Sequence, residues 1–468
     1  RPKIQFPRGV CLVAMTPPDN ATWFLPLGGT GEIGMNLNLY GHNGRWLLVD
    51  CGITFEHDLG STTGRPKIQM PDPAFIAARK HLIDGLIITH AHEDHLGAVP
   101  YLWPMLDCPV YTTPFTASVL RKKSGWRGSV LPSPLIEVRP SDRLQIGAFD
   151  VQWLPITHST PETCALLIRT AGCSVLHTAD WKIDKRPVVG PSWQVSDWAG
   201  KEFEGLNAVI CDSTNALKAG RSPSEGDVAD GLLQTLAPLT GKVVVACFAS
   251  NVARLQSVLR IAHATGRRAG LLGRSLENMY RCALANDYLH PDFRPISHEH
   301  LEYLPEYEVL ALATGSQGEV GAALHKLALD THPHLSLGEG DTVIFSAKTI
   351  PGNEVAVARL VENLRARNIA VIHGDNSQRT LHASGHPCQD ELIDLYQSLR
   401  PDLVIPVHGE AEHMTANAKL AKANGAAAAL TGRNGDLFHL APIPGVKRKW
   451  AETGRLEWLE KDHRLISA

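Results

Sequence analysis

Residues 86–97 read Leu-Ile-Ile-Thr-His-Ala-His-Glu-Asp-His-Leu-Gly, and His90, His92, Asp94 and His95 supply four metal-ligand donors within six positions. In an extended segment, residues two apart project to the same side, so His90 and His92 can reach one metal together. If the chain then turns into a helix, Asp94 and His95 swing towards a second position a few Å away. Imidazoles and a carboxylate packed this densely repel one another once charged, and a divalent cation removes the conflict. A solvated histidine-rich turn is the plain alternative. The H-x-H-x-D-H order, placed directly behind a buried-strand pattern, argues against it.

Other donors recur at the ends of apolar runs. Residues 151–157 lead to His158, 174–179 to Asp180, 206–211 to Asp212 and 403–407 to His408. A lone histidine after a strand serves structure more often than ligation. A carboxylate that ends an apolar strand needs a partner if buried, and a metal bridge is one such partner. Asp50 closes the strand-like 45–49, where it either orients ligands from behind or simply turns the chain.

Upstream of these donors, residues 23–27 read as a strand that runs into Gly28-Gly29-Thr30-Gly31-Glu32-Ile33-Gly34. No crossover helix follows, as a dinucleotide fingerprint would require. A hairpin of 35–40 and 45–49 takes its place. Helices are expected over 74–83 and 95–106, the latter despite Pro100 and Pro104. Residues 213–366 read as a separate α/β unit, with helices at 225–237 and 252–265 and strands at 242–248, 308–313 and 342–346. Such alternation implies a mostly parallel sheet. Its Gly/Ser loops place backbone N–H groups near helix N-termini, which suits phosphate, although ordinary capping would look the same. Strand 369–372, helix 388–399 and strand 403–407 follow, and the charged 447–462 is expected to be helical.

At 468 residues the chain exceeds what one core holds, so two or three domains are expected. Hydrophobic residues make up 44% and charged residues 20%, ordinary for a globular protein. No apolar run approaches the roughly 20 residues of a membrane span. A net charge of −3 argues against a uniformly basic surface but leaves local clusters at 121–123 and at Arg267, Arg268 and Arg274. The nine cysteines show no C-x-x-C pairing; they read as small core residues in a reducing cytoplasm.

With H-x-H-x-D-H, a later strand-end His, a later strand-end Asp and a distal His in order, residues 23–460 resemble the metallo-β-lactamase-fold hydrolases. Within these the chain is similar to the ribonuclease J family of the β-CASP subgroup. The likeness includes residues 28–34, Asp50, 157–159, 177–180, 212–215, 248–251, 273–275, 314–319, 350–354, 383–386 and 406–410. It implies an α/β fold, an αββα sandwich with a β-CASP domain inserted. The expected division is an irregular extension over 1–20, metallo-β-lactamase parts at 21–212 and 367–446, β-CASP at 213–366 and a charged segment at 447–468. The additional C-terminal domain usual in this family, which supports dimers, is not expected before Ala468. Homodimers or higher oligomers are therefore expected to be weakened.

Position by position, the resemblance puts His90, His92, His158 and Asp180 around a first zinc. Asp94, His95, Asp180 and His408 would surround a second, with manganese as the alternative cation. Asp212, His386 and His408 occupy the three β-CASP signature positions, and a histidine at the last favours RNA over DNA. Asp94, Asp180 and His386 are the catalytic candidates. His382, Ser384, Gly385, His386, Arg274, Ser275 and Ser316 are the candidates for substrate contact.

Two cations about 3.5–4 Å apart would activate a hydroxide for in-line attack on phosphorus. His386 would contact the phosphate or help protonate the leaving 3′ oxygen. Single-stranded RNA suits a channel between domains. The expected activity is 5′-to-3′ exonucleolytic with endonucleolytic cleavage beside it, in cytoplasmic RNA processing and decay. A lactonase or thioesterase on the same fold would have no use for the insert. A non-catalytic RNA-binding subunit would be free to lose ligands that are all present here.

Overall fold

The computed structural model describes residues 15–56, 66–123 and 131–468. Most of the extension expected over 1–20 lies outside them. Two sheets face each other. One has eight strands in the order Gly445–Lys447, Leu437–Ala441, Thr22–Gly28, Leu37–His42, Arg45–Val49, Ile83–Ile87, Val110–Thr112 and Leu135–Glu137. The other has seven: Ala428–Ala429, Leu403–Val407, Ala208–Asp212, Cys173–His177, Cys164–Thr170, Phe149–Pro155 and Arg143–Ile146.

Side-chain alternation along the strands builds the layers. Phe24, Tyr40, Leu47 and Ile87 from the first sheet meet Val151, Trp153, Leu166, Ile210 and Ile405 from the second. The alternate residues Trp23, Leu25, Trp46 and Leu48 face outward onto Leu102, Trp103 and Leu106 of helix Val99–Leu106. On the far side, Leu167, Leu176, Val209 and Val404 pack on Leu392, Leu395, Tyr396 and Leu399 of helix Gln389–Leu399. That i, i+3, i+4, i+7 spacing makes one apolar helix face. The result is the expected αββα sandwich.

A third sheet is parallel throughout and orders Arg268–Leu272, Val309–Ala313, Val243–Ala246, Thr342–Phe345 and Ala370–Ile372. The chain leaves the sandwich after Ala208–Asp212 and returns on the parallel neighbour Leu403–Val407, so the third sheet belongs to an insertion. Its expected end at 366 falls one strand early. After helix Glu354–Ala366 the chain still adds Ala370–Ile372 beside Thr342–Phe345, as a parallel crossover requires.

Three other expectations are corrected. The helix over 95–106 is two, Glu93–Leu96 and Val99–Leu106, because Pro100 has no N–H to bond back to Leu96 and suits a first turn. Residues 74–83 hold helix Ala74–Ala77 and a 3-10 turn at Lys80–Leu82. The charged tail contains no helix: Arg455–Leu459 pairs antiparallel with Lys67–Pro71 and with Arg464–Ser467. Leu456 and Trp458 alternate there with Arg455 and Glu457, a period of two that the density of charge obscured. The eight described cysteines are buried and free. Among the described residues no helix is long and apolar enough to cross a membrane.

Candidate metal centre

Strand ends from both facing sheets converge on one edge of the sandwich. Asp50 follows Arg45–Val49, His90 follows Ile83–Ile87, and His158 follows Phe149–Pro155; Asp180 follows Cys173–His177, and His408 follows Leu403–Val407. Asp50, Ala179 and His408 hold left-handed backbone, at φ 67°, 54° and 51°. Such backbone costs about 1–3 kcal/mol at each non-glycine position and clusters where function requires it. The N–H of His408 donates to Gly29 O at 2.8 Å, so the glycine loop holds a candidate ligand by its backbone. Residues 51–53 lie against the 93–95 turn, Cys51 N donating to His95 O (2.7 Å) and Ile53 N to Glu93 O (2.9 Å). Gly52 is needed there because a Cβ would stand 1.7 Å from Asp94 O.

His90, His92, His158 and Asp180 form the first donor set, each offering one atom within 4.8 Å of the others. His92 Nδ1 lies 3.1 Å from His90 Nε2 and 2.9 Å from His158 Nε2. The far nitrogens are already engaged. His90 Nδ1 donates to Thr89 Oγ1 (2.9 Å), whose hydroxyl donates onward to Asp50 Oδ2 (2.9 Å), and His158 Nδ1 donates to Gly385 O (2.5 Å). Both Nε2 atoms therefore present lone pairs to His92, and one proton on His92 cannot serve both. A cation satisfies all three at once, and imidazole–carboxylate sets at such spacing fit zinc-like ions. Burial, with neighbouring imidazoles adding to it, pushes His90 and His158 well below the usual imidazole range. Burial lowers His92 to about 4.

The second set is Asp94, His95, Asp180 and His408. His95 Nδ1 donates to Asp50 Oδ2 at 2.7 Å and its Nε2 sits 3.1 Å from Asp180 Oδ2; His408 Nε2 lies 3.0 Å from Asp94 Oδ2. Burial opposes charge on both rings. The surrounding Asp180, Asp94, Asp50 and Asp212 nevertheless raise His95 and His408 well above the usual imidazole value. Protons thus occupy the place a cation would take. Cation binding must displace them, so affinity at this set should rise with pH through neutrality. The first set, deprotonated already, should show little change above about pH 5. Calorimetric zinc titration at pH 7 in buffers of different ionisation enthalpy should register proton release with the second equivalent. A buffer-independent enthalpy for both equivalents would contradict this.

Beside these sets, His386 Nδ1 donates to Asp212 Oδ2 at 2.7 Å, and His386 keeps 19% side-chain exposure where His90 and His158 keep none. Burial lowers its proton affinity, but Asp212 and Asp180 outweigh that and raise it, while Asp212 itself is held below the carboxylate range. Asp212 Oδ1 also accepts from Thr214 N and Oγ1, and Thr214 Oγ1 accepts from His408 Nδ1 at 2.8 Å. One carboxylate therefore orients both histidines. Sequence reasoning placed Asp212 at a signature position without giving it this task; its strand-end Asp-Ser-Thr-Asn run was the available signal.

Ser384 Oγ accepts from Asn215 Nδ2 (2.8 Å) and from His386 N (3.3 Å), fixing the loop. A Cβ on Gly385 would stand 2.3 Å from Ser159 Oγ and 2.5 Å from His158 Nδ1. Gly385→Ala should therefore displace His158 and weaken metal retention about 10- to 100-fold, as metal content after dialysis would show. An unchanged content would mean the loop absorbs the methyl. His382 is part-buried, its Nδ1 has no hydrogen-bond partner among the described residues, and burial and the nearby Arg254 lower it to about 3. Arg274 and Ser275 line a different groove, in the insert, which shares no lining residue with the metal sets. Ser316 is buried and its Oγ accepts from Gln317 Nε2. The basic clusters are partly spent internally: Arg121 pairs with Glu137, Lys123 with Glu93, and buried Arg267 donates to Gly241 O and Val309 O.

Comparison with known proteins matches residues 34–192 to the metallo-beta-lactamase superfamily. Residues 240–364 match the ribonuclease J beta-CASP domain and 377–430 the Zn-dependent metallo-hydrolase RNA specificity domain. Ribonuclease J of Sinorhizobium meliloti is 41% identical over 452 residues, 96% of this chain and 79% of the relative. Ribonuclease J of Mycolicibacterium smegmatis is 38% identical over 401 residues, 85% of this chain and 71% of the relative. A crystal structure of a protein of unknown function from Enterococcus faecalis V583 shares the fold, with TM-score 0.62 and 16% identity over 90% of this chain and 100% of that one. With ligand donors delivered by the sandwich, a parallel-sheet insert of the β-CASP kind and this extent of identity, the chain belongs to the ribonuclease J family of metal-dependent, RNA-binding ribonucleases.

Proposed function

We propose that the chain hydrolyses phosphodiester bonds of single-stranded RNA with two zinc ions, manganese being the alternative, mainly as a 5′-to-3′ exonuclease with endonucleolytic cleavage beside it. The carrying observation is Asp180, whose carboxylate belongs to both donor sets. His90, His92, His158 and Asp180 would hold one ion, and Asp94, His95, Asp180 and His408 the other. Bound there, such ions supply Lewis acidity towards the scissile phosphate and make water a competent nucleophile at neutral pH.

The chain's own residues supply the rest. Asp50, Thr89, Thr214 and the Gly385 carbonyl fix the ring orientation of four histidines. Asp212 holds a proton on His386 Nδ1 and favours the doubly protonated ring, which leaves Nε2–H to protonate the departing 3′ oxygen. Ser384 and Gly385 position His386, while Arg274, Ser275, Ser316 and His382 are the remaining proposed RNA contacts, the first two from the groove in the insert. Action in the cytoplasm and weak self-association into homodimers or higher oligomers complete the reading. Product sizes over time from RNAs bearing 5′ hydroxyl, monophosphate or triphosphate ends test it. Mononucleotides from the monophosphate substrate support 5′ exonuclease action, discrete internal fragments alone would replace it with endonuclease action, and uncut RNA with either metal would overturn it.

A further inference from the structure

The insert carries a second gathering of metal-ligand types, remote in sequence from the metal centre. His298 and Glu299 open the 3-10 helix His298–Tyr303, and His334 lies in the loop that follows helix Ala323–Ala328. Each of the three offers one donor atom within 4.8 Å of the others. The His298 and His334 rings stand 5.0 Å apart at 60°. His298 Nδ1 lies 3.1 Å from Glu277 Oε1 on helix Arg274–Ala285. That contact places a proton on Nδ1 and leaves the Nε2 lone pair as the donor, the carboxylate–histidine pairing that prepares imidazoles for metals.

The two segments are held in fixed relation. Ser336 N donates to Glu302 Oε2 (3.0 Å), Lys242 Nζ bonds both Glu302 Oε1 (3.4 Å) and Ser336 O (3.0 Å), and buried Leu335 and Leu337 anchor the loop. Ser336 Oγ donates to Asp330 Oδ1 at 2.7 Å, and Asp330 pairs with Arg367 at 3.0 Å. His298 and His334 line a groove of about 650 Å³ that Arg274 and Lys326 also face. The two imidazoles are therefore carried on segments fixed by other contacts, yet part-exposed, and Glu299 is exposed beside them.

We propose that His298, Glu299 and His334 bind one zinc-class divalent cation, with its remaining coordination position open to the groove. Two imidazoles and one carboxylate are a donor set that zinc takes with water in the fourth place, and nitrogen donors select it over magnesium or calcium.

The test is zinc titration of the full chain, with bound metal counted by mass spectrometry after desalting and the cobalt-substituted protein followed by its visible absorption. The wild type should hold one equivalent more than His298→Ala or His334→Ala. Glu277→Gln should weaken that equivalent about 10- to 100-fold. His334→Gln, which keeps volume and polarity, separates ligand loss from misfolding. Equal metal content and affinity in the wild type, His298→Ala and both His334 variants would overturn the site and refer any extra ion to another cluster, such as exposed Glu410 and Glu412 with part-buried His413.

Discussion

Asp180→Ala is expected to lower kcat/KM on single-stranded RNA by roughly 10³-fold or more, about 4 kcal/mol of transition-state stabilisation. Among the described residues no other side chain belongs to both donor sets. Its Oδ2 lies 3.1 Å from His95 Nε2, 3.6 Å from His90 Nε2 and 3.7 Å from His158 Nε2, while its Oδ1 lies 3.6 Å from His408 Nδ1. Removing it leaves mutually repelling imidazoles with one fewer anion among them. Asp180 is also the foremost charge raising His95 and His408 against their burial, so the variant should shed protons from those rings as well as metal. Asp180→Asn keeps the volume and removes the charge, which separates electrostatic loss from a packing defect. Both variants should retain less zinc than the wild type and remain inactive when zinc is added. Undiminished cleavage by Asp180→Ala under added zinc would sink the shared-carboxylate mechanism.

The candidate donors were legible in the sequence because few residue types can ligate a metal, and because strands that end on His or Asp announce themselves as apolar runs broken by a single polar group. His90, His92, Asp94, His95, His158, Asp180 and His408 all meet at one sandwich edge. What orients them was less visible. The Asp212–His386 pair spans 174 positions, and no local pattern marks a contact made only when an insertion folds aside. Gly385 acts through a carbonyl and through the absence of a Cβ, neither of which is particular to one sequence context. The left-handed backbone at Asp50, Ala179 and His408 is borne by residues with side chains, so the usual glycine signature is missing. Arg267 shows the opposite failure: a residue counted as surface charge is buried, because three backbone carbonyls accept from its guanidinium. Long-range satisfaction of polar groups overrides what composition implies.

His386→Ala should retain the wild-type metal content yet lose about 10²- to 10⁴-fold in kcat, the range a positioned proton donor contributes. The distinction from Asp180 is geometric. His386 Nδ1 stands 4.0 Å from Asp180 Oδ2 but 2.7 Å from Asp212 Oδ2, so its ring is held by a neighbour of the donor sets. Asp212→Asn tests the same device through pH. An ionised Asp212 accepts from Nδ1–H and favours the doubly protonated ring; asparagine can offer an N–H at that place and disfavours it. The proton affinity of His386 should therefore fall. A general acid works only while protonated, so the alkaline limb of the kcat profile should move to lower pH in Asp212→Asn. Thr214 also rests on Asp212, and Thr214→Val serves as the control: it removes the His408 contact at 2.8 Å and leaves the His386 contact in place. A move of the alkaline limb to lower pH in Asp212→Asn without one in Thr214→Val would assign proton delivery to the Asp212–His386 pair. Equal shifts in both would place the titration at His408 instead and remove His386 from the chemical step.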